Sequence, residues 1–295
     1  MSEPLQGARI GWIGIGRMGE PMSRRLLAAG ADLIVFDRDP ARSALLAEAG
    51  ASTASDPSEA ARRSAILVSM VPDDVALEGI ARAVAPALAP GQVFMDMSTV
   101  SPAASARVAD LLAPTGCLYL RCPVSGSTVT AAAGQLAFFV SGPEAALEAC
   151  APVLDVLGTK RMHVGAAEEA RVCKLLVNLV VAAMPALLGE ALAFGEALGL
   201  PRATAVDALA QSVVASPLLA YKADALKARD WTPAASIDLL SKDLDLAIAA
   251  AREAGLEQPF TALIRAAYAR QQHARAGGLD FFRVSEGSAA IPEVR

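Results

Sequence analysis

Short apolar runs alternate with segments of helical periodicity through the first half of the chain. The runs lie at residues 10–13, 33–36, 66–70, 93–96, 118–120, 136–140 and 162–164. Because they are apolar almost throughout instead of alternating with polar residues, they are typical of parallel strands buried on both faces beneath helices. The pattern predicts an α/β fold with a doubly wound parallel sheet over about residues 8–165.

After Gly165 the pattern changes to long helical periodicity without a further convincing strand. We expect one long helix over about 167–198, kinked at Pro185, where the proline ring removes a backbone hydrogen bond. Further helices are predicted at 202–211, 236–254 and 259–274, and the apolar spacing of 242–248 indicates a face packed in a core. The change predicts two domains, residues 1–166 and an all-helical domain of residues 167–295.

The turn after the first apolar run is the most informative segment. Gly14, Gly16 and Gly19 have the GxGxxG spacing, and a helix is predicted over 18–29. In a dinucleotide-binding turn the first glycine allows the tight turn, the second admits a pyrophosphate and the third lets the helix pack against the strand. Three glycines alone also fit an ordinary packing turn, but the order strand, turn, helix, strand and Asp37 favours a dinucleotide.

The choice between NAD and NADP depends on the end of the second apolar run. Asp37 lies 21 residues beyond Gly16, where an acid holds the ribose hydroxyls of NAD. Its charge would repel the 2′-phosphate of NADP, whereas Arg38 and Arg42 would accommodate that phosphate. We expect NAD, and the arginines leave NADP open.

Composition narrows the class of protein. The 295 residues are 54% hydrophobic, which is enough for two cores, and the net charge of −5 argues against nucleic acid as the main partner. Mean hydropathy is +0.41, but the apolar stretch 175–188 is interrupted by Asn178 and Pro185. A bilayer requires roughly 20 apolar residues, so we expect a buried helix in a soluble protein and no membrane partner.

Cysteine usage and the N-terminal residues bear on the compartment. The four cysteines have no zinc-like spacing and are accompanied by only two histidines; they are Cys117, Cys122, Cys150 and Cys173. We expect reduced, buried thiols and no metal. Residues 1–7 have neither a basic start nor an unbroken apolar stretch, so we expect no secretory signal and a cytoplasmic protein.

Residues that follow the predicted strands are candidate ligand contacts, because ligands in a doubly wound sheet bind beyond the carboxyl ends of the strands. Val71 and Pro72 follow one strand, and Ser98 and Thr99 follow the next. The second pair fits a cofactor contact and a helix cap before Pro102 equally well.

Two further features suit a small anionic substrate. The segment 123–127 places the Ser125 hydroxyl beside Gly126, a concavity suited to a carboxylate, although a plain turn has the same composition. Lys174 and Asn178 lie four residues apart on one helix face in an apolar context. The alternative is a lysine exposed to solvent. If both side chains face inward, however, each requires a polar ligand or partner, because burial of an unpaired polar group is unfavourable. Lys174 is therefore a candidate acid.

Together these motifs resemble those of the β-hydroxyacid dehydrogenases, the family of 3-hydroxyisobutyrate dehydrogenase and tartronate semialdehyde reductase. Residues 14–22 are similar to the family's cofactor signature, 123–126 to its substrate-binding motif, and Lys174 with Asn178 to its catalytic helix. Segments beginning at Glu190 and Lys242 fall where similar segments occur downstream. The resemblance covers nearly the whole chain and implies a Rossmann-type sheet followed by an all-α domain joined by a long helix.

The resemblance implies an NAD(P)-dependent oxidoreductase that interconverts a small β-hydroxyacid and its semialdehyde or keto acid. Lys174 would donate a proton to the carbonyl oxygen as hydride arrives, and Asn178 would orient that oxygen. The substrate carboxylate would be held by Ser125, Gly126 and Ser127, and the cofactor by Gly14, Gly16, Arg17, Met18, Gly19, Asp37, Arg38, Val71, Pro72, Thr99 and Lys242. A homodimer or homotetramer through the helical domain is also implied.

Several positions depart from the family pattern. Glu168 and Ala170 replace two glycines before the lysine, Val177 replaces an asparagine, and Arg121 stands where an aspartate is frequent. Arg121 would either bind a second acidic group of the substrate or be a structural or solvated residue. Two other functions remain open: an NADPH-dependent imine reductase, against which Lys174 argues, and a non-catalytic nucleotide-binding homologue.

Overall fold

The computed structural model describes residues 4–289, which divide into two compact units, one ending at Lys174 and the other beginning at Leu175. The division falls inside the long helix expected over 167–198. Residues 1–3, on which the expectation about a secretory signal partly rests, lie outside the described residues.

The first unit is built on one nine-stranded sheet. Its strands are β1 Arg9–Ile13, β2 Asp32–Phe36, β3 Ser52–Thr53, β4 Ile66–Ser69, β5 Val93–Asp96, β6 Leu118–Arg121, β7 Val124–Ser125, β8 Leu136–Ser141 and β9 Gly158–Gly165. The order across the sheet is β3, β2, β1, β4, β5, β6, β8, β7, with β9 paired to β8. Neighbours from β3 to β6 in this order pair in parallel. The doubly wound parallel sheet is therefore confirmed.

The far side of the sheet differs from the prediction. Strand β8 pairs antiparallel with β6 and β7. Strand β9 is parallel to β8 but mostly exposed, with Met162 58% exposed, so burial on both faces is wrong for this run. Lys160 and Arg161 precede Met162 in β9, and these charged residues lie on the exposed strand. Strands β3 and β7 have two residues each, too few to appear as apolar runs.

Within the described residues the first unit has seven helices, and five of them begin at a residue whose side chain caps the helix. The seven are α1 Gly19–Ala28, α2 Pro40–Ala47, α3 Pro57–Arg63, α4 Asp74–Val84, α5 Pro102–Leu112, α6 Thr128–Ala133 and α7 Glu144–Leu157. The capped helices are α2 to α6. The side chains of Asp39, Asp56 and Ser101 accept backbone N–H bonds at the starts of α2, α3 and α5, each of which has a proline in its first turn. A polar cap followed by proline favours a helix start at that residue.

The second unit is helical within the described residues. Its elements are α8 Glu169–Ala197, which begins in the first unit, α9 Arg202–Ala210, α10 Pro217–Ala228, α11 Ile237–Glu253, α12 Pro259–His273 and a 3-10 helix Phe281–Ala289. The four predicted helices are confirmed, and α8 continues through Pro185. Helix α10 was not predicted, because its buried stripe of Leu219, Lys222 and Leu226 contains a lysine. The Lys222 ammonium lies 2.7 Å from the Asp280 carboxylate.

One side of α8 is apolar and exposed; we call it the α8 apolar face. It consists of Val172, Leu176, Val180, Leu187 and Phe194, which are 52–72% exposed. By length and composition α8 is apolar enough to cross a bilayer, with a mean hydropathy of 2.0 over its most apolar window, of which 28% is buried. The expected burial of this helix is therefore correct only for the opposite side, which includes Ala182 and Leu192.

Candidate active site

Each of the three positions in the turn favours glycine for a different structural reason. Gly14 has φ +97°, and a Cβ on it would lie 2.2 Å from the Met70 carbonyl oxygen. A Cβ on Gly19 would lie 2.1 Å from the Gly14 oxygen. A Cβ on Gly16 would be 3.8 Å from an Arg42 nitrogen, its nearest atom outside the adjoining residues. Packing therefore requires Gly14 and Gly19, whereas the open space at Gly16, beside the start of α1, fits a pyrophosphate.

Asp37 lies at the same turn. Its Oδ2 accepts a hydrogen bond from the Ile15 N–H at 2.6 Å and its Oδ1 accepts one from the Asp39 N–H at 2.9 Å. These bonds fix the carboxylate at the end of β2, where an acid can reach ribose hydroxyls. The Arg42 Nε is 3.5 Å from the Asp39 carboxylate, and Arg38 is exposed. Of the other predicted contacts here, Arg17 is exposed and Met18 half-buried, just before α1.

The loops after β4 and β5 are joined by hydrogen bonds. The Val71 N–H donates to Ser98 Oγ at 2.8 Å, and Ser98 Oγ donates to Asp96 at 2.7 Å. Helix α5 is capped by Ser101, so the interpretation of Ser98 and Thr99 as its cap is wrong. Thr99 is half-buried and Pro72, after Val71, is exposed.

The loop predicted to bind a carboxylate follows β6. Ser125 ends the short strand β7 and is half-buried. Gly126 has φ +152°, and a Cβ on it would lie 2.5 Å from Thr130 Oγ1, so glycine is required. Ser127 caps α6, its Oγ accepting from the Thr130 N–H at 3.4 Å. The Ser127 hydroxyl therefore has a structural role as the cap of α6. Ser125 and Gly126 lie before this helix.

Arg121 and Glu168, two residues that depart from the family pattern, form an ion pair. Arg121, at the end of β6, donates from Nε and Nη2 to Glu168 Oε1 at 3.0 and 2.5 Å. Its guanidinium also lies 4.3 Å from the centre of the Tyr119 ring. The Arg121 side chain is 7% exposed, so the structure favours the structural interpretation over a second substrate contact. The pair also ties the residue before α8 to the strand that leads into the Ser125 loop.

Lys174 and Asn178 lie on the side of α8 opposite the α8 apolar face. At 100° per residue, Lys174 and Asn178 share the side on which Leu192 is buried. Asn178 is 8% exposed, and its Nδ2 donates to Asp243 Oδ2 at 2.6 Å. The other oxygen of Asp243 lies 2.9 Å from the Lys242 ammonium. Asp243 is therefore the polar partner that an inward-facing asparagine requires.

Sequence reasoning missed Asp243 as a site residue. It lies in the buried stripe of α11 with Leu240, Leu244 and Ala247, and is itself 4% exposed. A carboxylate within an apolar helical stripe was the available signal. Within residues 4–289, no group of three His, Cys, Asp or Glu side chains is arranged to hold a metal, and the four cysteines are free.

The chain is similar to known nicotinamide-dependent dehydrogenases over both of its units. Residues 9–165 match the family model for the NAD binding domain of 6-phosphogluconate dehydrogenase, and residues 169–286 match the one described as NAD-binding of NADP-dependent 3-hydroxyisobutyrate dehydrogenase. A 2-(hydroxymethyl)glutarate dehydrogenase of Eubacterium barkeri is 33% identical over 86% of this chain and 86% of its own.

Solved structures agree in fold. The structure of Mycobacterium tuberculosis 3-hydroxyisobutyrate dehydrogenase with L-serine is 30% identical with a TM-score of 0.89, covering 95% of this chain and 99% of its own. An imine reductase from Pseudomonas sp. is 24% identical with a TM-score of 0.63, covering 94% and 98%. The second likeness shows a shared fold alone.

Proposed function

The chain belongs to the β-hydroxyacid dehydrogenase family, and we propose that it interconverts a small β-hydroxyacid and its semialdehyde or keto acid with NAD(H) or NADP(H). The observation that carries the proposal is the pair Lys174 and Asn178, one turn apart on the inward side of α8. The space at Gly16 fits the cofactor that the family uses. The imine reductase alternative is supported by the fold alone.

Each residue has a defined task in this proposal. The bound nicotinamide supplies or accepts the hydride. Lys174 Nζ gives a proton to the carbonyl oxygen in the reductive direction and takes it from the hydroxyl in the oxidative direction. Asn178, whose amide is fixed by Asp243, orients that oxygen. The Ser125 hydroxyl and the Gly126 N–H bind the substrate carboxylate.

Lys174→Ala tests the acid. Loss of a positioned general acid lowers kcat by about 10²–10⁴-fold, whereas cofactor affinity, measured by NADH or NADPH fluorescence, should change little. Lys160→Ala, at an exposed lysine of β9, is the matched control and should retain full turnover. Unchanged turnover of hydroxyacids in Lys174→Ala, or turnover of cyclic imines in its place, would contradict the proposal.

We propose a preference for NAD. The support is the position of Asp37, whose carboxylate is fixed at the glycine turn by two backbone N–H groups. A 2′-phosphate at that point would face a negative charge. The ratio of kcat/KM for NADH and NADPH measures the preference. A strong preference for NADPH would contradict this proposal and would indicate that Arg38 and Arg42 bind the 2′-phosphate.

We also propose that a second copy of the chain covers the α8 apolar face. Its five large side chains form one stripe, and soluble proteins rarely leave such a patch open. Lys174 and Glu190 on the same helix disfavour a bilayer as the partner. Light scattering should give a mass of two or four chains, and Leu187→Glu with Phe194→Glu should give the monomer. A monomeric wild-type protein would exclude this assembly.

A further inference from the structure

Arg171 lies in the first turn of α8, and its side chain is completely buried within the first unit. Its Nη2 donates to Asp96 Oδ2 at 2.5 Å and to the Tyr119 hydroxyl at 3.1 Å. Its Nη1 donates to the Ser98 carbonyl oxygen at 2.8 Å, and Nε donates to Ser105 Oγ at 3.2 Å. All three guanidinium nitrogens therefore have partners on β5, β6 or α5 or in the loop after β5.

Asp96 extends the contacts to the neighbouring strand. Its Oδ1 accepts from Ser69 Oγ at 2.5 Å and from Ser98 Oγ at 2.7 Å. Ser98 Oγ in turn accepts the Val71 N–H. One hydrogen-bonded network, with Arg171 at its centre, thus joins the start of α8 to the two loops that carry the predicted cofactor contacts.

Stability alone does not explain a buried ion pair of this kind. Removing two charges from water offsets most of their attraction, and well-packed apolar residues often stabilise a protein equally well. Burial by itself would lower the pKa of Arg171, but Asp96, Tyr119 and Glu168 together more than compensate and the net pKa is raised, so the guanidinium stays charged. What the pair supplies beyond stability is a fixed geometry, since the planar fork has specific partners at each nitrogen.

We propose that Arg171 is a positioning residue for the reaction: with Asp96, it fixes the first turn of α8 and thereby the place of Lys174 relative to the loops after β4 and β5. Arg171 and Lys174 are three residues apart, so their side chains are neighbours on the helix surface. The Arg121–Glu168 pair anchors Glu168, the residue immediately before α8. The inference rests on the proposed function of Lys174.

The test compares kcat and KM of Arg171→Gln, Arg171→Lys and Arg171→Gln/Asp96→Asn, all well below their melting temperatures. Displacement of a catalytic group by a fraction of an ångström lowers kcat by about tenfold or more. We expect that loss in Arg171→Gln and in the double variant, a smaller change in KM for the hydroxyacid, and a double variant no slower than Arg171→Gln. Arg171→Lys keeps the charge without the fork and should be intermediate.

The matched control is Lys222→Gln, which breaks another buried pair whose residues belong to no predicted site. It should melt earlier and keep its kcat. Wild-type kcat in folded Arg171→Gln or Arg171→Lys would overturn the inference. If Arg171→Gln does not fold, Arg171→Lys decides alone. The two proposals remain separable: unchanged turnover in Lys174→Ala refutes the proposed acid, whereas a slow Lys174→Ala with a fast Arg171→Lys refutes only the positioning role.

Discussion

Glu168→Gln measures what the Arg121–Glu168 pair contributes, since it keeps the shape of the side chain and removes its charge. Arg121 would keep its place, 7% exposed, without the carboxylate that accepts its hydrogen bonds. Removal of one partner from a buried pair costs about 3–5 kcal/mol. Because the Glu168 side chain is 18% exposed and an amide oxygen still accepts one hydrogen bond, we expect about 2–3 kcal/mol.

The expected loss is large enough for routine assays. In a domain of 150–250 residues each kcal/mol shifts the melting temperature by about 2–4 °C, so Glu168→Gln should melt about 4–12 °C earlier. Urea unfolding followed by circular dichroism gives the free energy directly. Glu148→Gln, at an exposed position of α7, is the matched control and should stay within about 0.5 kcal/mol of wild type.

A double variant separates the pair from its parts. Arg121→Met/Glu168→Gln removes the unpaired cation, so it should be more stable than Glu168→Gln alone. Strictly additive losses, or a Glu168→Gln as stable as the control, would refute the reasoning. Arg121→Met should also change KM equally for monocarboxylic and dicarboxylic substrates. A selective rise for dicarboxylic substrates would restore the hypothesis that Arg121 binds a second acid.

Three further predictions concern the glycine turn, Asp243 and the buried cysteines. Gly16→Ala should weaken cofactor binding by about tenfold in calorimetry without lowering the melting temperature, whereas Gly19→Ala, 2.1 Å from a backbone oxygen, should destabilise the fold. Asp243→Ala should lower kcat by about tenfold, because it releases the amide held by that carboxylate; unchanged kcat would contradict this. Burial raises the pKa of Cys150 to about 12 and that of Cys122 well above its usual value, so iodoacetamide at pH 8 should modify neither before unfolding, as mass spectrometry would show.

Most elements of the fold follow from local pattern. The apolar runs, the glycine turn and four of the helices after residue 165 follow from the order of apolar and polar residues, because burial on one helix face or within a strand depends on neighbours in the sequence. The same reasoning failed for α10, where Lys222 occupies a buried position, and for β9, whose run stays exposed. For α10 the deciding contact is distant: Asp280 pairs with Lys222 from 58 residues away.

The glycine turn of Gly14, Gly16 and Gly19 and the position of Lys174 and Asn178 on one helix side follow from residue spacing alone. How the charged and amide groups are held depends on contacts between distant segments. Arg121 with Glu168, Arg171 with Asp96 and Asn178 with Asp243 are separated by 47, 75 and 65 residues. A charged or amide side chain shows in the sequence that it needs a partner, because its burial unpaired is unfavourable. Which partner it meets depends on the packing of strands and helices far apart in the chain.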